Sequence, residues 1–380
     1  MSTIEPHAQD GRGNEAAQRI ADPNYAANGK AHTLAAGEYR ATVFSSGAAL
    51  GKLTWRGTDI VVPVSTSELP IAYEGKTLVP WPNRIADGRY TFGGETYELP
   101  INEHATNSAL HGLGCWVDWD AVELSTSEAT FRMNVVPRYG YPFHLATEVN
   151  YRLLADRGLR VEITSTNLGS SPAPYGVSSH PYLTCGLAPV DECSLQFPAE
   201  RVMTADERLL PTGTVPVEEA GLDFRENRQV GPQQIDHAFG ELPRDAWGVV
   251  LSHPRTQLAS RLSGRAPWLQ IYSGELLGRR GIAVEPMTCP PNAFNTKAAL
   301  TVLEPGGVTP CGSASRAHRC PANDIEDFWY SSAFRLTDPG VSEGVGGVGV
   351  GDGGLGALRA GHQQPCPGGD APRRADRAGR

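Results

Sequence analysis

From Glu38 onward, apolar and polar side chains alternate with a period of two, in short runs rich in β-branched and aromatic residues. Successive side chains on a strand point to opposite faces, so each run predicts a strand with one buried face. The clearest are Tyr39–Phe44, Thr130–Val136, Thr147–Leu154, Leu159–Thr166, Trp247–Leu251, Trp268–Ser273 and Leu300–Leu303. Helical periodicity of useful length is nearly absent. Thirty prolines and 43 glycines cut the chain into short segments, as a sandwich or barrel requires. The prediction is an all-β, antiparallel fold. One hairpin stands out: Gly88–Phe92 and Thr96–Pro100 flank Gly93-Gly94-Glu95, whose glycines supply the positive φ of a tight turn.

The alternation lapses near Gly306. Gly340–Gly356 is Gly/Val low complexity, and Gly361–Arg380 is rich in Pro, Arg, Gly and Asp. Such composition buries too little apolar surface to offset backbone entropy. Ile325–Leu336, with Phe328, Trp329, Tyr330 and Phe334, is a separate aromatic cluster. The expected organisation is a flexible N-terminal segment (1–37), a folded domain (38–306) and a largely disordered tail (307–380).

The net charge of −9 is spread along the chain, which argues against a nucleic-acid partner. No run approaches the roughly 18 apolar residues that span a bilayer, and Met1–Gly37 lacks the apolar stretch of a secretory signal. Seven cysteines, odd in number and irregularly spaced, fit a reducing cytoplasm better than a disulfide framework. A zinc site would have to draw on Cys311, His318 and Cys320, which lack CxxC spacing, so no metal is expected.

Chemistry concentrates where apolar runs meet rigid turns. His180 lies in Tyr175-Gly-Val-Ser-Ser-His-Pro-Tyr-Leu183, with Pro181 stiffening the turn and Tyr182 placed to pack on the ring. Glu285 ends the run Gly281–Val284 and precedes Pro286. A carboxylate against such a strand is partly desolvated, which raises its pKa toward that of a useful base; an edge-strand Glu that deters aggregation is the alternative. Arg84, after Trp81-Pro82-Asn83, can donate paired hydrogen bonds to ligand hydroxyls or cap its own loop. His111 precedes Gly112, which permits close approach of a ligand. Asp236 follows Gln233-Gln234 in an expected loop, as a hydroxyl acceptor or a turn residue.

Taken in order, five segments resemble the aldose 1-epimerase (galactose mutarotase) family. They are Asn83-Arg84-Ile85 with its Gly-x-Tyr-x-Phe-x-Gly hairpin, Asn107 to His111-Gly112, Ser179-His180-Pro181-Tyr182, Ile235-Asp236-His237, and Val284-Glu285-Pro286 to Asn292-Ala293. The resemblance covers Gly37 to Pro305 and implies a large antiparallel β-sandwich with a sugar in an open cleft. It implies Glu285 as the base at the anomeric hydroxyl and His180, aided by His111, as the acid at the ring oxygen. Arg84, Asp236 and Asn83 would bind the aldose, without cofactor, in a cytoplasmic monomer or homodimer. The stretch Trp81 to Gly88 looks more like a bacterial branch with poorly defined sugars, one linked to sulfoquinovose.

Relatives follow Leu-x-Pro-Gly, here Leu303-Glu-Pro-Gly306, with another strand. Gly307 onward does not resemble it, so an unpaired sheet edge is expected. Three other functions compete. A non-catalytic sugar sensor would not need both His180 and Glu285. An epimerase of hexose 6-phosphates would need added cations, for which Arg279-Arg280 is the candidate. A glycoside hydrolase normally needs two flanking carboxylates, and Asp236 is the sole partner available to Glu285.

Overall fold

The computed structural model describes residues 26–319. The Gly/Val tract and the Ile325–Leu336 cluster lie outside these residues. Among the described residues the α-helix is confined to the single turn Ala293–Thr296, and strands dominate the rest. The all-β, antiparallel prediction holds.

Three sheets form the body. The largest has nine strands in the spatial order Asp120–Leu124, Glu128–Val135, Leu145–Leu154, Gly158–Asn167, Val308–Arg319, Leu258–Gly264, Trp247–His253, Ser194–Gln196 and Arg228–Gln229. A six-stranded sheet runs Tyr182–Leu183, Ile282–Met287, Trp268–Tyr272, Asp236–Gly240, Arg201–Ala205 and Pro211–Pro216. A four-stranded sheet joins Ala31–Ala36, Tyr39–Phe44, Ala49–Trp55 and Thr58–Asp59 in sequence order.

The period of two explains how they pack. Alternate residues of Leu145–Leu154 are buried, beginning with Leu145, Thr147 and Val149. Phe131, Val149 and Leu159 of the large sheet, Leu269 and Val284 of the second, and Val43 and Leu53 of the third enter one apolar core. Each such side chain contributes about 1.5–3 kcal/mol on full burial. Specific contacts tie the layers together. Phe197 meets Phe239 edge-on with ring centroids 4.8 Å apart, and the Tyr151 hydroxyl donates to the Ala48 carbonyl at 2.6 Å.

Three expectations need correction. Residues 31–36, assigned to a flexible N-terminal segment, form a strand paired with Tyr39–Phe44 from Ala31↔Phe44 to Ala36↔Tyr39. The tail was expected to leave an edge unpaired beyond Gly306. Instead Val308–Arg319 lies inside the nine-stranded sheet, between Gly158–Asn167 and Leu258–Gly264. The folded domain therefore runs at least to Arg319. This strand is poor in the residues that favour extended structure, and its neighbours impose its conformation. In the predicted hairpin Phe92 pairs with Glu95, so the turn is Gly93-Gly94 alone, with φ of 61° and 86°.

Candidate active site

Glu285 lies in the middle of Ile282–Met287, whose six residues are all buried. The strand pairs with Tyr182–Leu183 at Ile282 and Ala283 and with Trp268–Tyr272 along its length, and the burial of Glu285 removes the alternative of a solvent-facing edge residue. The strand was expected to stop at Val284. It continues through Pro286 to Met287, because Trp268–Gln270 pairs with Glu285–Met287 and holds it extended, and the fixed φ of proline is compatible with that geometry.

His180 sits between the short strands Ser178–Ser179 and Tyr182–Leu183. Its backbone N–H donates to the Lys76 carbonyl at 3.0 Å, and its carbonyl accepts from Gly75 at 2.9 Å. As expected, Tyr182 stacks on its ring, with centroids 5.1 Å apart and planes at 23°. These contacts point Nε2 at Glu285, 3.3 Å from Oε1. Both side chains are buried, and His180 Nδ1 and Glu285 Oε2 make no hydrogen bond. Buried polar atoms rarely stay unpaired without a functional reason.

His111 and Asn83 hold each other. The His111 N–H donates to the Asn83 carbonyl at 3.0 Å, and the Asn83 N–H donates to His111 Nδ1 at 3.1 Å. Both adopt left-handed backbone geometry, φ 62° and 54°, a region that asparagine and histidine enter more readily than most residues. Gly112 has a different use from the one expected. A Cβ there would lie 2.3 Å from the Val79 carbonyl oxygen, so glycine serves backbone packing. The His111 ring stands edge-on to His180, centroids 5.3 Å apart.

Arg84 pairs through two of its three guanidinium nitrogens with Glu103, Nε to Oε2 at 2.6 Å and Nη2 to Oε1 at 2.7 Å. This clamp fixes the guanidinium plane. Asp236 is the first residue of the strand Asp236–Gly240, opposite Tyr272, and not a loop residue. Its Oδ1 accepts from Gln270 Nε2 at 2.6 Å, and Gln270 itself stands opposite Glu285. Asn83, Arg84, Asp236 and Gln270 line one cleft. Glu103 and Gln270 were not anticipated. No motif marks them, because each acts through a partner that only the fold supplies.

Burial governs the electrostatics. It pushes the Glu285 carboxyl well above its usual range, with Asp236 adding to the effect. It lowers His180 to about 3 and holds His111 well below its ordinary value, helped by His180 and Arg84. The His180 shift has a consequence for stability. Its folded value is depressed, so its contribution is complete above pH 6.5 and is lost as the pH falls toward 3. Thermal melts between these limits should show acid destabilisation that is smaller in His180→Asn. An unchanged acid slope in that variant would contradict the assignment.

The nearest ligand-type atoms of His111, His180 and Glu285 lie within 4.8 Å of one another, an arrangement that could hold a metal ion. The Asn83 hydrogen bond bears on this. With Nδ1 accepting, the proton of neutral His111 is on Nε2, so this ring presents a donor to the cleft. That suits a polar ligand better than a cation.

The Arg84–Glu103 clamp is testable. Glu103→Gln should lower the melting temperature and raise KM about 10–100-fold, the size of a lost charge-assisted hydrogen bond. Unchanged KM would show that the clamp has no part in binding.

The family model described as Aldose 1-epimerase matches residues 30–310. The chain is 47% identical over 283 residues to the uncharacterized protein YihR of Escherichia coli K12, covering 74% of this chain and 92% of that protein. It is 29% identical over 230 residues to the aldose 1-epimerase of the same organism, covering 54% of this chain but only 65% of that enzyme. The crystal structure of a GalM/aldose epimerase homologue from C. elegans superposes with a TM-score of 0.70 at 20% identity, over 77% of this chain and 100% of the other. The fold is thus that of the galactose mutarotase-like proteins, and this chain belongs to the aldose 1-epimerase family.

Proposed function

We propose that the protein interconverts the α and β anomers of a free hexose by acid/base ring opening and closure. The observation that carries this reading is the buried contact between His180 Nε2 and Glu285 Oε1 at 3.3 Å. Ring opening needs a base at the anomeric hydroxyl and an acid at the ring oxygen. A carboxyl raised and an imidazole lowered by burial share one mobile proton. The neutral pair, Glu–COOH with imidazole, has the same proton count as carboxylate with imidazolium. A bound sugar, bringing hydroxyl dipoles into the cleft beside Arg84, stabilises the charged form.

In that form Glu285 takes the proton from O1–H while His180 protonates O5, and the C1–O5 bond breaks to leave a C1 aldehyde. The pair is then neutral again. Rotation about C1–C2 presents the other carbonyl face, and the reverse transfers close the opposite anomer. His111 Nε2–H donates to the ligand, and Arg84 and Asp236 hold hydroxyls, with Asn83 setting the His111 tautomer. Each proton-transfer partner contributes about 10²–10⁴-fold. We place this chemistry in the cytoplasm on a small aldose. Among the described residues, four free buried cysteines fit that compartment, and no helix is long and apolar enough to cross a membrane.

The hexose 6-phosphate alternative loses its main support. Arg279 is engaged by Asp191 at 2.6 Å, Glu275 at 2.7 Å and the Gly231 carbonyl at 2.8 Å. It is a structural arginine. Polarimetry of freshly dissolved α-D-glucose and α-D-galactose, with and without protein, tests the proposal. Faster relaxation to equilibrium is expected. Absence of any acceleration by folded protein on either sugar would favour a sensor.

A further inference from the structure

Rings lead from the surface to the histidines in layers. Trp116 is 48% exposed, and its ring centroid lies 5.4 Å from that of Tyr73. Tyr73, partly buried, meets His111 edge-on with centroids 4.7 Å apart. It lies nearly parallel to His180, with centroids 6.4 Å apart and planes at 23°. One side chain thus touches both histidines, whereas Tyr182 stacks on His180 from its own strand. Beneath Tyr73, His111 is 6% and His180 5% exposed, and His180 Nδ1 is buried without a hydrogen bond.

Tyr73 holds this place in a demanding conformation. Its φ is 58°, left-handed backbone that a bulky side chain rarely adopts. Such a residue persists only where its surroundings over-determine it, and here they do. The Tyr73 N–H donates to the Pro70 carbonyl at 3.1 Å, and its carbonyl accepts from the Lys76 N–H at 3.0 Å, closing a turn. The Lys76 side chain is buried, and its ammonium donates to the Ser46 carbonyl at 2.9 Å and to Asn28 Oδ1 at 3.2 Å. Gly75 and Lys76 of the same turn are the residues that pin the backbone of His180. Tyr73 and His180 are therefore fixed relative to each other.

We propose that Tyr73 is a positioning residue whose ring locks the His111 and His180 imidazoles in place and keeps water off them. This role presupposes the proton transfer assigned above to His180 and Glu285. Water admitted to the pair would stabilise imidazolium and carboxylate, making the one a weaker acid and the other a weaker base, and proton transfer would slow. The groups facing the rings are Glu285 and Tyr182 at His180, Arg84 and Asn83 at His111, and the two histidines themselves. Tyr73 adds no charge to this set, since burial raises its hydroxyl above the ordinary value. Its ring acts by shape.

The test compares the wild type with Tyr73→Gly, which removes the ring and suits a positive φ, and with Tyr73→Phe, which keeps the ring and drops the hydroxyl. Magnetic resonance of the imidazole nitrogens at neutral pH reports tautomer and order, and polarimetry on D-glucose and D-galactose reports rate. Expected in the wild type and in Tyr73→Phe are single-tautomer signals from His111 and His180. Tyr73→Gly should give averaged signals, from rings that turn and meet water. Its kcat should fall by about tenfold or more, part of the roughly 10²–10⁴-fold that each proton-transfer partner supplies. KM should stay unchanged, because the ring is assigned no contact with substrate, and Tyr73→Phe should keep the wild-type rate. Wild-type nitrogen signals in Tyr73→Gly would overturn the proposal, as would a loss in Tyr73→Phe equal to that in Tyr73→Gly, or a raised KM with kcat intact. If the wild type accelerates neither sugar, the proton-transfer reading fails, and the nitrogen signals alone decide whether Tyr73 orders the pair. If Tyr73→Gly does not fold, Tyr73→Phe decides: ordered rings support the cover and averaged rings refute it.

Discussion

Replacing Glu285 with Gln is expected to slow mutarotation by about 10²–10⁴-fold while raising the melting temperature near neutral pH. The two effects have one origin. Burial holds the folded carboxyl well above its usual range. As the pH rises above the ordinary carboxylate value of 4.5, the unfolded chain ionises and the folded chain does not. Stability is complete below that value and falls until the folded group itself ionises. Gln cannot ionise, so the variant escapes the loss. Active sites commonly trade stability for function in this way. Polarimetry gives the rate, and paired melts at pH 4 and pH 7, values chosen to bracket the ordinary carboxylate range, give the rest. A variant that melted below the wild type at the higher pH would show that Glu285 is held by contacts a neutral amide cannot replace.

Ending the chain after Gly306 should abolish cooperative folding. Val308–Arg319 pairs with Leu159–Thr166 on one side and Leu258–Gly264 on the other. Its loss would leave two ladders of backbone donors and acceptors without partners in the interior of a sheet. It would also expose two long hydrophobic edges to aggregation. Circular dichroism melts of this truncation, beside a chain ended after Arg319, make the measurement. A shortened protein that melted cooperatively within a few degrees of the longer one would disprove the strand's structural role.

That strand also shows where sequence reasoning stops. Strands such as Thr147–Leu154 were legible because each carries its own alternation of apolar and polar residues. Val308-Thr-Pro-Cys-Gly-Ser-Ala-Ser-Arg-Ala-His-Arg carries none, and its extended state comes from partners distant in sequence. The site divides in the same way. His180, Glu285, Arg84 and His111 were visible because turns and motifs frame them. Glu103 and Gln270 were not, since a carboxylate in a polar loop and an amide in an apolar strand have nothing local to distinguish them. Asp236 was found but misplaced in a loop, because the two glutamines before it hid the start of the strand.

The position of Val308–Arg319 also sets the order of events during synthesis. Gly158–Asn167 and Leu258–Gly264 leave the ribosome well before the strand that joins them. Until then the nascent chain holds two half-sheets that cannot be sealed, each with an open edge. Assembly must wait for nearly the last described residues, so folding is expected to be dominated by distant pairings, which are slow to form. For this protein the vulnerable interval is between translation of the candidate site residues and arrival of the strand that encloses their scaffold. Chaperone dependence during expression would follow from that delay and not from any weakness of the finished fold.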